Sequence, residues 1–223
     1  GCKYAVSGAI TWFFENEEQG IILEDDCLPS QSFFWFCEEL LDKYKDDLRV
    51  WHIGGTNPID KTLNSSGYYF SEYNRIWGWA TWRRAWKAYD VEIKMWPEIE
   101  KTNILANLLG EKEAKKYKEI FSKVYNGKID TWDYQWFLIR LLNGKSIIPK
   151  VNLISNIGFG PDATHTSEIG SKLSKLDRGE VNFPLVHPSY FIVDKDRDIA
   201  WKFFSSDSQG VLKKILKNLM GEK

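Results

Sequence analysis

Cysteine is scarce and unpatterned. Cys2, Cys27 and Cys37 are odd in number, none stands in Cys-x-x-Cys spacing and no paired histidine lies near them. That leaves neither a disulfide framework nor a zinc site to expect, and it fits a reducing compartment. Net charge is missing too. With 30 basic and 31 acidic residues, the chain offers no clearly basic face for nucleic acid, so any anion must be met by local charge. No uninterrupted apolar run approaches the length of a membrane span and no basic-then-apolar leader opens the sequence. The expectation is a soluble, cytoplasmic protein. No internal repeat is present. Gly1 stands where a complete chain would carry Met, and Gly1-Cys2-Lys3-Tyr4 runs straight into an apolar-periodic segment, so the sequence reads as a fragment.

What is present is an ordinary globular balance over 223 residues, enough for one sizeable core or two small ones. The departure is aromatic: 11 Trp among 15% Phe, Trp and Tyr is more than a core of this size needs. Packing is the first use of any single Trp. As a set they also suit the CH-rich faces of sugars.

Residues 4–16 carry Ala5, Ala9, Trp12 and Phe13 at helical spacing, and Gly20-Ile21-Ile22-Leu23 reads as a short buried strand. Pro29 and Ser30 open a second helix with Phe33, Phe36, Cys37, Leu40, Leu41 and Tyr44 on one face. Arg49 to Ile53 is the next strand, and Asn64 to Gly67 a turn before an edge strand at Tyr68-Tyr69-Phe70. Trp79, Trp82 and Trp86, at i, i+3 and i+7, predict a helix entered through Gly78. Charged helices follow near 98–108 and 111–125. Thr131 caps a helix that is apolar nearly all round and stops at Asn143-Gly144. A strand lies within 147–157, and then the pattern weakens until a last helix at 211–219. The alternation of helix and strand argues for an α/β sheet with crossovers.

Glu24-Asp25-Asp26 lies where the run Ile21-Ile22-Leu23 ends, and ligands of open α/β sheets sit beyond strand carboxyl ends. Extended chain would put Glu24 and Asp26 on one side and Asp25 on the other. Three adjacent carboxylates repel one another, so a hard divalent ion such as Mn²⁺ or Mg²⁺ is their natural partner. The competing explanation is a solvated acidic loop that favours the positive end of the helix beginning near Ser30.

Gly20-Ile-Ile-Leu-Glu-Asp-Asp26, the Phe-rich helix after it, Val50-Trp51-His52-Ile53, Trp77-Gly78-Trp79 and Thr131-Trp132-Asp133 together resemble glycosyltransferases of the GT-A type. The order and spacing are most similar to the N-acetylglucosaminyltransferase I group and its bacterial relatives, over roughly residues 3–166. The resemblance implies a Rossmann-related mixed sheet flanked by helices and an Asp-x-Asp-like motif. In it Asp26 reaches the metal, Asp25 the ribose and Glu24 the donor sugar, with Gly78, Trp79 and His165 also toward the donor. Asp133, following Trp132, matches the base that deprotonates an acceptor hydroxyl, which implies inversion at the anomeric carbon. Asp130 and Tyr134 are weaker choices. The loop Gly158 to Thr166 falls where such enzymes carry a segment that closes over the donor, and Thr164, His165 and Thr166 offer it hydrogen-bond donors. The family normally carries a βαβ unit ahead of the first helix to hold the nucleotide base, so the fold expected here is N-terminally truncated.

The resulting expectation is a catalytic core at 1–166 and a C-terminal extension at 167–223 that packs on it. The function expected is transfer of a sugar from a nucleotide-sugar donor such as UDP-GlcNAc or a UDP-hexose to a glycan or lipid-linked saccharide. His52, inside an apolar strand, is expected to be a satisfied core residue. The basic amphipathic helix at 211–219 could touch the inner face of a membrane, though docking on the domain's own core is preferred for a helix so short. A carbohydrate-binding module that keeps the fold without catalysis is the alternative, and a glycosidase with paired carboxylates ranks below both.

Overall fold

The computed structural model describes residues 1–59, 67–158 and 176–205. The expected helix at 211–219 and most of the 158–166 loop, His165 included, lie outside them.

Helix α1 spans Cys2–Asn16 and β1 Gln19–Ile22. After a turn, β2 (Cys27–Pro29) leads through Ser30 into α2 (Gln31–Lys43), and β3 follows at Val50–Gly54. Next come β4 (Tyr68–Ser71), β5 (Trp79–Trp82) and a single turn of helix, α3 (Arg83–Trp86). The helical stretch holds α4 (Trp96–Ile99), α5 (Ile104–Leu109), α6 (Glu111–Tyr125) and α7 (Asp133–Asn143). The chain then forms β6 (Lys145–Pro149), β7 (Ile154–Asn156) and α8 (Lys195–Ser205).

Five strands form one mixed sheet in the order β1-β5-β3-β6-β4, in which β3 and β6 run parallel and every other pair antiparallel. β2 and β7 make a separate antiparallel pair. The α/β expectation therefore holds at the level of a mixed sheet flanked by helices.

Each face of the sheet has its own reason to be covered. On one side α2 lays down Phe33, Phe36, Cys37, Leu40 and Leu41 against Ile53, Ala80, Trp82 and Ile147. On the other, Trp79, Trp86, Trp132 and Trp136 pack with Ile10 and Phe14 of α1. α4, α5 and α6 close over the outer face of α7 around Trp96, Phe121 and Phe137. Leu185 and the half-buried Val181, Phe191 and Val193 join the α2 side, so the chain beyond 176 shares that core.

Three readings of local pattern are corrected. The helix predicted from Trp77 is strand β5 followed by α3. Trp79 and Trp82 are buried on opposite faces of the sheet, and two-sided burial produced a Trp spacing that imitates a helix. β1 is an edge strand with half-buried residues rather than a buried one, because it pairs only with β5. In α1 the buried stripe is Lys3, Ser7, Ile10 and Phe14, while Trp12 is exposed. Polar side chains hold that face: Lys3 Nζ meets Glu92 at 2.8 Å, and Ser7 Oγ donates to the Lys3 carbonyl at 2.6 Å. α8 was not foreseen: Trp201 packs on the core, but much of the docking is polar. Asp198 accepts hydrogen bonds from Ser71 Oγ and the Glu72 amide.

His52 is the satisfied core residue expected. Trp136 Nε1 donates to its Nδ1 at 3.2 Å, which leaves Nε2–H to donate to the Arg75 carbonyl at 3.0 Å. Both contacts suit the neutral ring. Burial, with the Arg140 charge nearby, drives its pKa well below the usual histidine value. Because the folded pKa lies below the unfolded one, protonation favours unfolding, and the histidine's contribution is lost as pH falls below about 6.5. The stability advantage of wild type over His52→Asn should thus be constant near neutral pH and shrink below about 6.5. Urea denaturation of both chains at a series of pH values checks this; a constant gap down to pH 5 contradicts it.

Candidate functional site

The acidic triplet sits on the turn that joins β1 to β2. The Cys27 amide donates to the Glu24 carbonyl at 3.0 Å, which closes the turn across Asp25 and Asp26. The expectation of extended chain through the triplet is therefore replaced by a reverse turn. The outcome for the side chains is similar, for Glu24 and Asp26 converge while Asp25 is exposed. Together with Cys27 they offer three ligand-type atoms within 4.8 Å of one another.

The turn is fixed from behind. The β2–β7 ladder anchors Cys27 to Pro29, the Ile157 amide donates to the Asp26 carbonyl at 2.9 Å, and the Gly158 amide donates to Asn156 Oδ1 at 2.8 Å. Gly158 passes so close that a Cβ there would stand 2.3 Å from Asp26 Oδ2. Gly78 holds the flank. Its φ of +61° lies in the left-handed region, its carbonyl accepts the Gly55 amide at 2.7 Å, and an added Cβ would meet Ile154 Cδ1 at 2.5 Å. Only glycine meets both demands at that position.

Asp133 approaches from the other side of the aromatic cluster, near enough for its charge to act on Glu24. It is the first residue of α7, half-buried, and accepts a hydrogen bond from Thr131 Oγ1. The N-cap position belongs to Trp132 rather than Thr131. Trp132 is buried and stacks on Trp79 at 5.7 Å with the rings 17° apart, and its carbonyl accepts from Tyr89 Oη at 3.0 Å. Trp79 itself is fully buried between Trp132 and His52. Its ring has no open face, so its route to the site is through Trp132.

Electrostatics ties the pieces together. Burial raises the Glu24 carboxyl above the usual carboxylate range, and the charges of Asp26, Asp133 and Asp25 push the same way. The Trp132 side chain faces Glu24 and opposes them in part. The charge of Asp133 is thus felt at Glu24.

Two members were not foreseen. The Cys27 thiol is pushed up to about 12, chiefly by burial, and the Cys2 thiol is raised by burial and by Glu24, Asp130 and Asp133. Cys27 adjoins the triplet in sequence and could have been suspected. Nothing local marked Cys2, which arrives because α1 begins here. Asp130 caps α1 instead of joining the cluster, since its carboxylate oxygens each accept at 3.1 Å from the Cys2 and Lys3 amides.

As a donor set, two carboxylates suit a hard divalent ion, whereas a thiol kept protonated at neutral pH is no ligand for one. Acidic groups also gather without an ion, so the set establishes fit and no more. Compared with known proteins, the chain matches no family model and no curated sequence. Among the described residues no helix is long and apolar enough to cross a membrane.

A carboxyl whose folded pKa is raised costs stability once it is ionised, and that cost is absent below its unfolded value. Glu24→Gln keeps an acceptor toward Trp132 and should raise the thermal midpoint at pH 7. The gain should vanish toward pH 4, below the unfolded Glu value of about 4.3. Scanning calorimetry of both chains at the two pH values checks this, and a destabilised variant at pH 7 contradicts it.

Proposed function

We propose that the chain is the catalytic part of a metal-dependent, inverting GT-A glycosyltransferase that moves a sugar from a nucleotide-diphosphate donor to a glycan hydroxyl. The observation that carries the reading is the convergence of Glu24 and Asp26 on the turn after β1, with the charge of Asp133 near enough to be felt at Glu24. The residues come from elements more than a hundred positions apart, and a fold gains nothing in stability by assembling like charges around a half-buried carboxyl. Such an assembly is expected where charge is needed for chemistry.

In this reading Asp26 would hold Mn²⁺ or Mg²⁺ through its carboxylate, and Glu24 beside it would meet the donor sugar. When bound, the ion neutralises the charge that builds on the departing diphosphate. Asp133 accepts the proton of the acceptor hydroxyl as the oxygen attacks the anomeric carbon from the side opposite the leaving group. A new glycosidic C–O bond forms, and the bond to the diphosphate breaks with its electron pair on phosphate oxygen. Thr131 Oγ1, donating to the carboxylate at the first turn of α7, orients it.

The alternative of a binding module drew its support from the Trp content. Trp79, Trp82, Trp86, Trp96, Trp132 and Trp136 are in the core, while Trp12 and Trp35 are exposed and Trp51, Trp77 and Trp201 half-buried, so that reading keeps five of the 11 Trp.

Transfer assays with UDP-GlcNAc and UDP-hexoses in the presence of Mn²⁺ test the proposal. Asp133→Asn should lower turnover by about 10²–10⁴-fold, the range of general-base catalysis, with little change in donor KM. Asp26→Ala should raise the Mn²⁺ concentration needed and lower turnover together. Wild-type rates in both variants would refute the assignment.

A further inference from the structure

Arg75 lies between β4 and β5 and is only 4% exposed, yet none of its three guanidinium nitrogens has a hydrogen-bond partner among the described residues. Arg140, equally buried, donates to the Glu72 carbonyl at 2.6 Å and the Gly144 carbonyl at 3.4 Å. A buried charge without such partners is costly. Burial lowers the guanidinium's pKa from its ordinary value, and the nearby Asp198 charge opposes this in part. Asp198 forms no ion pair with Arg75 among the described residues, and its oxygens are engaged by Ser71 and Glu72.

What covers the guanidinium is an aromatic ring: its carbon lies 3.6 Å from the ring centroid of Trp201 in α8. Arg75 and Trp201 both line a cavity of about 170 Å³, with Thr56, Asn74, Ile76 and Trp77 as the other walls. The space is well beyond a single water site and below the span of an extended ligand, which leaves room for one compact ring. Thr56 Oγ1 donates to the Trp77 carbonyl at 2.8 Å, so this wall runs directly into Gly78 at the flank of the acidic cluster.

We infer that this cavity is a subsite for a monosaccharide unit bearing an anionic group, carboxylate or phosphate. The Arg75 fork, closed off by the Trp201 ring, takes the anion when that ring moves aside, and the Trp77 and Trp201 side chains that line the cavity offer apolar surface to the CH groups of the ring. A planar guanidinium matches two oxygens of either anion, and aromatic faces match pyranose CH groups. The incoming anion replaces the Trp201 ring as the partner of the guanidinium. Binding of such a unit does not depend on the transferase reading; under that reading the unit belongs to the acceptor.

Titration calorimetry of the 223-residue chain, without metal or nucleotide, uses glucose, glucuronate, glucose 6-phosphate and inorganic phosphate as probes. At least one acidic sugar should bind tenfold or more tightly than glucose, and which of them does so tells carboxylate from phosphate. Arg75→Met should abolish the preference while leaving the melting temperature equal or higher, because it removes a buried charge that lacks hydrogen bonds. Arg75→Lys, which keeps the charge but not the fork, should retain a preference reduced several-fold. Equal binding of glucose and both acidic sugars would overturn the inference. So would inorganic phosphate binding as tightly as the tighter acidic sugar, an undiminished preference in both variants, or a marked fall in melting temperature in Arg75→Met.

Discussion

The stack of Trp132 on Trp79 is the contact on which the rest of the arrangement depends. Trp79 is the first residue of β5 and pairs with Ile22, the last residue of β1, two positions before Glu24. Trp132 is the residue before α7, with Asp133 immediately after it. One aromatic contact thus sets the end of an edge strand and the start of a helix in register. The surrounding rings make it rigid: Trp136 and Trp86 lie within 5.6 Å and 6.1 Å of Trp79, and His52 stacks on the opposite face at 5.2 Å. Each such pair adds about 0.5–1.5 kcal/mol beyond the area it buries. The cluster therefore fixes position strongly enough to hold carboxylates together against their repulsion.

That repulsion is the counterpart of the stack. Glu24 is raised by burial and by three acidic neighbours, and only the Trp132 side chain opposes them. Both thiols that border the carboxylates are raised too, so the sulfur there stays protonated at neutral pH. A hard cation or a set of hydroxyl groups would relieve the strain that the fold alone does not. The buried Arg75, a few residues along the chain from Gly78, shows the complementary feature: a cation without acceptors among the described residues, beside a cavity. The segment 74–78 thus separates a negative site from a positive one.

How much of this was legible depended on whether burial was one-sided. α2 and α7 announced themselves through apolar faces with clear ends, and β3 through its short apolar run, because each meets the core in a single regular way. β5 was misread because Trp79 and Trp82 are buried on opposite sheet faces. α8 left no trace, since Asp198 docks by hydrogen bonds to Ser71 and Glu72 and polar docking has no periodicity to read. At the site, the triplet could be singled out from local sequence and Asp133 only through the family resemblance, whereas the contact that brings their elements together, the Trp79–Trp132 stack, could be read from neither. The closed turn at 24–27 was hidden for a similar reason: its stabilising partners, Ile157 and Gly158, are remote in sequence.

The central claim is that Glu24, Asp26 and the start of α7 form one cation-binding cluster. Mn²⁺ is paramagnetic and broadens nearby resonances, and the Trp132 indole faces Glu24. Titration of ¹⁵N-labelled chain with Mn²⁺ should broaden the Trp132 indole N–H signal before those of the exposed Trp12 and Trp35, and Asp26→Ala should remove that order. Indole signals that broaden together, or Trp12 and Trp35 ahead of Trp132, would contradict the account.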